Sequence, residues 1–127
     1  MPMNNLTEYE RTLLAGWELT YKMGQLSLWL MLALQDGPKH MAQIKQFLQA
    51  ATDGTMSADD KSIYRALRRY DKGDLVRFDT QPGTGGPELK VYDLTETGRH
   101  VLEHFLARNV RIFYKPSVRT LIEKGML

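Results

Sequence analysis

The 127-residue chain contains no cysteine. This excludes a disulfide framework and a thiolate metal site, and it suits a reducing compartment. Long apolar runs are missing too, because the longest, LSLWLMLAL at residues 26–34, is about half of what a membrane-spanning helix needs. The first ten residues, MPMNNLTEYE, lack the basic and apolar regions of a signal peptide. We therefore expect a soluble, cytoplasmic protein.

A strong net charge is also absent, since 17 Lys and Arg residues stand against 15 Asp and Glu residues. The charge is unevenly distributed, however. Residues 1–60 hold 4 basic and 7 acidic side chains, a net of −3, whereas residues 61–127 hold 13 and 8, a net of +5. A positive field confined to one part of a molecule can attract a polyanion such as nucleic acid.

The segment KSIYRALRRYDK, residues 61–72, concentrates this positive charge. At about 100° per residue, a helix here has an apolar face and an opposite basic face. The apolar face holds Ile63, Ala66, Leu67 and Tyr70, and the basic face holds Lys61, Arg65, Arg68 and Lys72. Ser57 is predicted as the N-cap, and Gly73 marks the end of the helix. Taken alone, such a face is as typical of a solvated surface as of a nucleic-acid contact.

Helices are also predicted on both sides of this segment, together with one β-hairpin. Residues 7–23 form an amphipathic helix that begins with a capping box of Thr7 and Glu10, and two further helices follow before Ala51. Alternating apolar residues around the turn sequence QPGTGGPE predict a hairpin between residues 76 and 94. A final long helix is predicted from residue 95 or 96 to near Pro116, and residues 117–125 can add a short one.

The order of helix, helix, basic helix and hairpin with a glycine-rich tip is that of a winged helix-turn-helix domain. The predicted fold is therefore mostly α with a small β-hairpin. We expect an N-terminal helix in residues 1–23, the DNA-binding domain in residues 24–94, and a C-terminal dimerisation helix and tail in residues 95–127. In such a domain one helix enters the major groove and the hairpin lies along the neighbouring backbone or minor groove. This context favours DNA binding for the basic face.

Three segments resemble the PadR-like family of transcriptional regulators: LALQDGPKHMAQI, SIYRALRRYDKGDLV and GGPELKVYDLTETGR, which together span roughly residues 28–100. The sequence departs from the family at Met41, where glycine is usual, and in the less basic strand ELKVYDL. The resemblance implies a homodimeric repressor whose dimer contacts come from the C-terminal helix, often together with an N-terminal helix. It also implies that Tyr64, the tyrosine of the S-x-Y-R-A-L pattern, contacts the DNA backbone. A half-buried core tyrosine is the alternative.

The chemistry of the basic helix divides its residues between two roles. The first turns of a recognition helix read base edges, so Lys61, Ser62 and Arg65 are the candidates, and Arg65 can pair bidentately with guanine. Arg68 and Arg69 lie further along and are expected to neutralise phosphates. A surface ion pair with a nearby aspartate is the alternative for Arg69.

Four residues of the predicted hairpin are candidates for backbone contacts. The main-chain amides of Thr84, Gly85 and Gly86 can approach phosphates, and Lys90 supplies charge. A purely structural turn is the alternative.

Apolar residues of the terminal helices predict a subunit interface, and the resemblance to PadR-like proteins implies an effector site there. The expected interface residues are Leu13, Trp17, Leu102, Phe105, Leu106, Ile112 and Phe113. Some PadR-like proteins bind flat aromatic or drug-like molecules at the dimer centre, which makes Trp17 and Trp29 candidates for effector binding. Packing anchors are the alternative for both tryptophans.

The segment HVLEH, residues 100–104, matches the H-x-x-E-H spacing of inverted zinc peptidases. No third protein ligand for a catalytic zinc can be identified, so we assign no catalytic residue, metal or cofactor. The predicted function is a homodimeric, sequence-specific regulator of double-stranded DNA, a repressor relieved by a small aromatic or drug-like effector. The competing hypothesis is a winged-helix module that binds a protein partner without specific DNA binding. A metal-dependent hydrolase is the least favoured.

Overall fold

A computed structural model of the chain describes residues 5–83 and 85–126. These residues form six α-helices, one short 3₁₀ helix and a two-stranded antiparallel sheet. The helices are α1 (Glu8–Lys22), α2 (Gln25–Gln35), α3 (Met41–Ala51), α4 (Asp60–Lys72), α5 (Glu96–Asn109) and α6 (Pro116–Met126); the strands are β1 (Val76–Gln81) and β2 (Leu89–Leu94); the 3₁₀ helix is Arg111–Tyr114. The predicted fold class, a winged helix-turn-helix with additional terminal helices, is confirmed.

The chain divides into two compact units, of which Gly24–Leu102 is one and residues 1–23 together with 103–127 are the other. The core of the first unit is built from α2, α3, α4 and the hairpin. Its most deeply buried large side chains are Leu30, Leu34, Ile44, Leu48, Ile63, Leu67, Val76 and Leu94. Burial of each such side chain stabilises the folded state by roughly 1.5–3 kcal/mol. This core fixes α4 against the hairpin.

The hairpin is joined to the turn between α2 and α3. Val76 pairs with Leu94 and Phe78 with Tyr92 across the two strands. On the other side of Tyr92, its backbone amide donates to the Lys39 carbonyl at 2.9 Å, and the Lys39 amide donates to the Tyr92 carbonyl at 3.0 Å. The turn can reach this edge because Gly37 adopts a φ of 144°, a conformation that residues with side chains avoid.

Thr95 connects the end of the hairpin to its beginning. Its hydroxyl donates to the Asp74 carbonyl at 2.5 Å and accepts from the Gly98 amide at 2.9 Å. Its own backbone amide donates to the Leu75 carbonyl at 3.1 Å. The start of α5 is thereby held against the start of β1, which keeps the hairpin in one place relative to the core.

Two predicted helix boundaries were wrong. The N-cap of α4 is Asp59 and not Ser57, because the Asp59 carboxylate lies within reach of the Ser62 amide, at 2.7 Å. The long helix predicted to run to near Pro116 is α5, and it ends at Asn109. There the backbone changes to bonds between residues three apart, such as the Phe113 amide to the Val110 carbonyl at 3.0 Å. The predicted capping box of Thr7 and Glu10 is confirmed.

In the second unit, no described residue of α1 or α6 is buried. The apolar stripe of α1 lies at the surface, with Trp17 75% exposed and Leu13 54% exposed. Leu102, expected at a subunit interface, is only 3% exposed within its own chain. That expectation is corrected, because a side chain already buried in its own subunit has little surface left for a partner. Among the helices of the described ranges, none is long and apolar enough to cross a membrane.

Candidate nucleic-acid interface

Helix α4 has one buried face and one basic, solvent-facing side. Ile63, Ala66, Leu67 and Tyr70 are all buried in the core. Lys61, Arg65, Arg68 and Lys72 are all exposed. The separation predicted from helical periodicity is confirmed, and it leaves the four cationic side chains of the basic side accessible.

The first turn of α4 presents its candidate base-reading residues in a fixed position. Lys61, Ser62 and Arg65 are exposed there, and Asp59 caps the turn. Hydrogen bonds from the backbone amide and the hydroxyl of Ser62 hold the pKa of Asp59 below its ordinary value, and the charges of Arg65 and Lys61 lower it further. The carboxylate therefore remains ionised and bound to the helix N-terminus at neutral pH.

A contact between Tyr64 and Lys90 joins α4 to β2. The Lys90 ammonium donates to the Tyr64 hydroxyl at 2.9 Å. It also lies 4.8 Å from the centre of the Phe78 ring and 5.2 Å from that of the Tyr64 ring, within the range of a cation–π interaction. Tyr64 is 38% exposed, which places its ring at the surface and not in the core.

This contact changes the acidity of both groups. The hydrogen bond from Lys90, and then its charge, lower the pKa of the Tyr64 hydroxyl, and Arg68 adds a smaller effect in the same direction. The same hydrogen bond raises the pKa of Lys90. The two directions agree, since an ammonium that donates to a phenol stabilises the charged form of each.

Helix α4 and the hairpin flank a cleft of about 490 Å³. Its polar lining consists of the side chains of Tyr64, Arg68, Asp71, Lys72, Lys90 and Tyr92. Three of these groups are cations and one is a carboxylate, so the cleft favours anions. Arg68 and Lys90, predicted separately for the helix and the hairpin, are brought together here.

The other predicted residues of the helix and hairpin are located as follows. The guanidinium of Arg69 lies 5.7 Å from the centre of the Tyr70 ring, and within the described residues it forms no ion pair. Gly85 has a φ of 74°, and neither Gly85 nor Gly86 has an atom within 4 Å of where a Cβ would lie. Thr84 lies outside the described residues.

Sequence reasoning missed two contributors to this surface. The Phe78 ring lies 4.8 Å from the Lys90 ammonium. It also packs on Tyr92, with ring centres 5.6 Å apart. Lys45 of α3 pairs with Asp60 in the first turn of α4 at 2.7 Å. The alternation of residues in the hairpin could have indicated Phe78, because it and Tyr92 share a strand face. No local pattern indicates the Lys45 pair.

A family model described as "Transcriptional regulator PadR-like family" matches residues 30–104, more than half of the chain. The chain belongs to the PadR-like family of transcriptional regulators. Among proteins with curated functions, none matches the sequence.

Solved structures of PadR-like proteins have the same fold. A PadR-like transcription factor from Bacteroides fragilis is 25% identical, with a TM-score of 0.65 over 84% of this chain and 98% of its own. A PadR family regulator from Eggerthella lenta is 20% identical, with a TM-score of 0.68 over 92% of this chain and 98% of its own. Bacillus subtilis PadR in complex with operator DNA is 23% identical, with a TM-score of 0.58 over 64% of this chain and 46% of its own.

The two tryptophans and the HVLEH segment are the remaining features singled out in the sequence of this PadR-like chain. Trp17 lies exposed on α1 in one compact unit, and Trp29 is half-buried on α2 in the other. His100 and His104 lie exposed, one turn apart, on α5. Across residues 5–83 and 85–126, no group of three or more potential ligands is positioned to hold a metal ion.

Proposed function

We propose that this PadR-like regulator binds double-stranded DNA sequence-specifically, with α4 in the major groove and the hairpin along the neighbouring backbone. The observation that carries the proposal is the solvent-facing basic side of α4, whose opposite face is entirely buried. A helix anchored in this way can enter a groove without losing its packing. Binding of operator DNA by the Bacillus subtilis relative, which has the same fold, supports the proposal.

The proposed roles follow the position of each side chain. Lys61, Ser62 and Arg65 occupy the first turns of α4 and read base edges. Tyr64, Arg68 and Arg69 contact phosphates, as do Lys90 and the main-chain amides of Thr84, Gly85 and Gly86 at the hairpin tip. Phosphate contacts contribute affinity, whereas the contacts of the first turn select the sequence.

We further propose that the protein acts as a homodimer. Support comes from the apolar side chains that the second unit leaves at the surface: Leu13, Trp17, Phe105, Ile112 and Phe113. Exposed apolar groups in such number are typical of an interaction surface. Leu106, partly buried in its own chain, is the remaining candidate. Two copies of α4 would then read an inverted repeat with half-site centres about 34–36 Å apart, or a multiple of that distance.

The regulatory part of the proposal is repression that a small aromatic or drug-like effector relieves. The candidate contacts are Trp17, which is exposed, and Trp29, which is half-buried. The effector would act by binding two dimer arrangements with different affinities, so that the favoured spacing of the α4 helices changes. We also propose the domain limits expected from the sequence: an N-terminal helix in residues 1–23, a DNA-binding domain in residues 24–94, and a C-terminal dimerisation helix and tail in residues 95–127. The proposed location is the cytoplasm.

The substitution Arg65→Ala tests the proposal. Each good bidentate contact to a base discriminates by about 1–3 kcal/mol, so we expect specific binding to weaken by roughly tenfold or more. Fluorescence anisotropy with an operator duplex measures the loss, and size-exclusion chromatography with light scattering checks that the dimer is retained. Arg119→Ala, which removes the same charge from α6, serves as the control. Unchanged DNA binding in Arg65→Ala would contradict the proposal and favour a protein-interaction module.

A further inference from the structure

The Lys90 ammonium is held by groups from two different elements. The Tyr64 hydroxyl of α4 accepts one of its hydrogen bonds at 2.9 Å, and the Phe78 ring of β1 lies 4.8 Å away. Tyr64 and Lys90 are 26 residues apart in the sequence, so only the packing of the hairpin against α4 brings them together. Arg68 lines the same cleft.

Among residues 5–83 and 85–126, the Tyr64 hydroxyl accepts a hydrogen bond from Lys90 and donates none, so its own proton is available. A phenol oxygen can accept and donate at the same time, and here it accepts from Lys90. An ammonium has no acceptor, so the proton of the hydroxyl cannot be directed at Lys90 and must find another partner. Tyr64 is more than a third exposed, so that partner can come from outside the protein.

A donor bond from a cation makes the hydroxyl itself a stronger donor. Hydrogen bonds in a chain polarise one another, and a bond to an anionic oxygen is about twice as strong as a neutral one. The lowered pKa of Tyr64, caused first by its bond to Lys90, is consistent with this polarisation. A phosphate oxygen is the acceptor that would gain most from it.

We propose that Lys90 is a positioning residue for Tyr64, and that the two form one phosphate-binding pair in which Lys90 donates to the Tyr64 hydroxyl and Tyr64 donates to a DNA phosphate oxygen. This inference rests on the proposed function. It replaces the direct phosphate contact proposed above for Lys90 with an indirect one, in which Lys90 acts mainly through Tyr64 and not as an independent cation of the hairpin. The pair also ties α4 to β2 at the point where both approach the backbone.

A double-mutant cycle in DNA binding tests the pair, with Tyr64→Phe, Lys90→Met and the double variant. Tyr64→Phe removes only the hydroxyl, and Lys90→Met removes the charge while keeping an apolar stem. A hydrogen bond to a charged group raises binding affinity roughly tenfold. We therefore expect the DNA affinity of each single variant to fall by about that factor. In the Tyr64→Phe background, Lys90→Met should cost about twofold or less, as for a solvent-exposed charge.

The matched control is Lys124→Met, which removes one lysine charge from α6. It measures the general effect of a lower positive charge, and we expect it to match the small residual cost of Lys90→Met when Tyr64 is absent. Circular dichroism spectra should be unchanged, and melting temperatures should change only slightly, in all variants, because Tyr64 and Lys90 lie outside the buried core.

A second readout needs no DNA. The ¹³C signal of the Tyr64 ring, assigned by its absence in Tyr64→Phe, should titrate at higher pH in Lys90→Met than in the wild type. An unchanged titration would show that Lys90 does not polarise the hydroxyl, and would overturn the inference. The inference would also be overturned if Lys90→Met reduced DNA affinity equally in the wild type and in the Tyr64→Phe variant.

The two proposals fail in different ways. A wild-type protein that binds no duplex, even at low salt, overturns the proposed function and the pair together. A wild type that binds its operator, with additive losses in the cycle, overturns only the pair.

Discussion

At the scale of single residues, the junction of β1 and α5 depends on the absence of a side chain at position 98. The Gly98 amide donates to the Thr95 hydroxyl, and the backbone of Leu75 passes directly over the glycine. A Cβ at this position would lie 2.0 Å from the Leu75 carbonyl oxygen. Real contacts are never this short, so a larger residue must displace either the helix or the strand.

Gly98→Ala is therefore expected to destabilise the fold. Overpacking at a site that is already close-packed costs about 1–3 kcal/mol, and the backbone here cannot move aside as a flexible side chain could. Urea denaturation followed by circular dichroism measures the change in the free energy of unfolding. Gly125→Ala is the control, since a Cβ at Gly125 meets nothing within 4 Å. Equal stability of the two variants would contradict the close approach.

Single residues also show how far the sequence predicts the candidate site. Tyr64 and Lys90 were both identified from the sequence, but for separate roles in the helix and the hairpin. Their hydrogen bond could not be predicted, because it depends on how the hairpin packs on α4 and not on any local spacing. Leu102 is a second example, because helical periodicity identifies it as apolar and inward-facing but does not show whether it packs within its own subunit or against a partner.

At the scale of elements, the faces of α4 were predictable and its first residue was not. Helical periodicity is a local property, so the buried and basic faces follow from the sequence alone. Around the start of the helix, however, Ser57, Asp59 and Asp60 are all of N-cap type. Only the distance from a carboxylate to a backbone amide selects Asp59 among them.

The Asp59 cap of α4 should make part of the protein's thermal stability depend on pH. Asp59→Ala should lower the melting temperature at pH 7, whereas Ser57→Ala should change it little, because only Asp59 caps the helix. The folded-state pKa of Asp59 is lowered, so its contribution is present above the unfolded pKa of about 3.9 and is lost as the pH falls through the folded value. The difference between wild type and Asp59→Ala should therefore shrink in strong acid. A larger effect of Ser57→Ala than of Asp59→Ala, measured by thermal unfolding, would reject this cap.

At the scale of the whole molecule, the sequence predicted the fold because every local signal pointed to the same order of elements. A capping box, helical periodicity, a change to strand alternation and a glycine-rich turn all agree with the winged helix-turn-helix that the structure has. The apolar stripe of α1, which includes Leu13 and Trp17, was predicted as well, and its exposure in the single chain supports the proposal that a second copy covers it.

Leu13→Glu tests that role of α1. Burial of a leucine in an interface contributes roughly 1.5–3 kcal/mol, so a carboxylate there should weaken the dimer by tenfold or more, as measured by analytical ultracentrifugation. Ala15→Glu is the matched control, because at 100° per residue Ala15 lies opposite the stripe and is also exposed. If both variants remain dimeric at the same concentration, α1 does not form the interface.

The central claim is that the basic side of α4 serves sequence-specific DNA binding. The most direct test is the anisotropy of a fluorescent duplex carrying the DNA upstream of the protein's own gene, titrated beside a scrambled duplex at two salt concentrations. We expect tighter binding to the upstream duplex, and affinity that falls steeply with salt, because phosphate contacts release counterions. No binding to either duplex at low salt would contradict the account, since the exposed basic side of α4 would then serve something other than DNA.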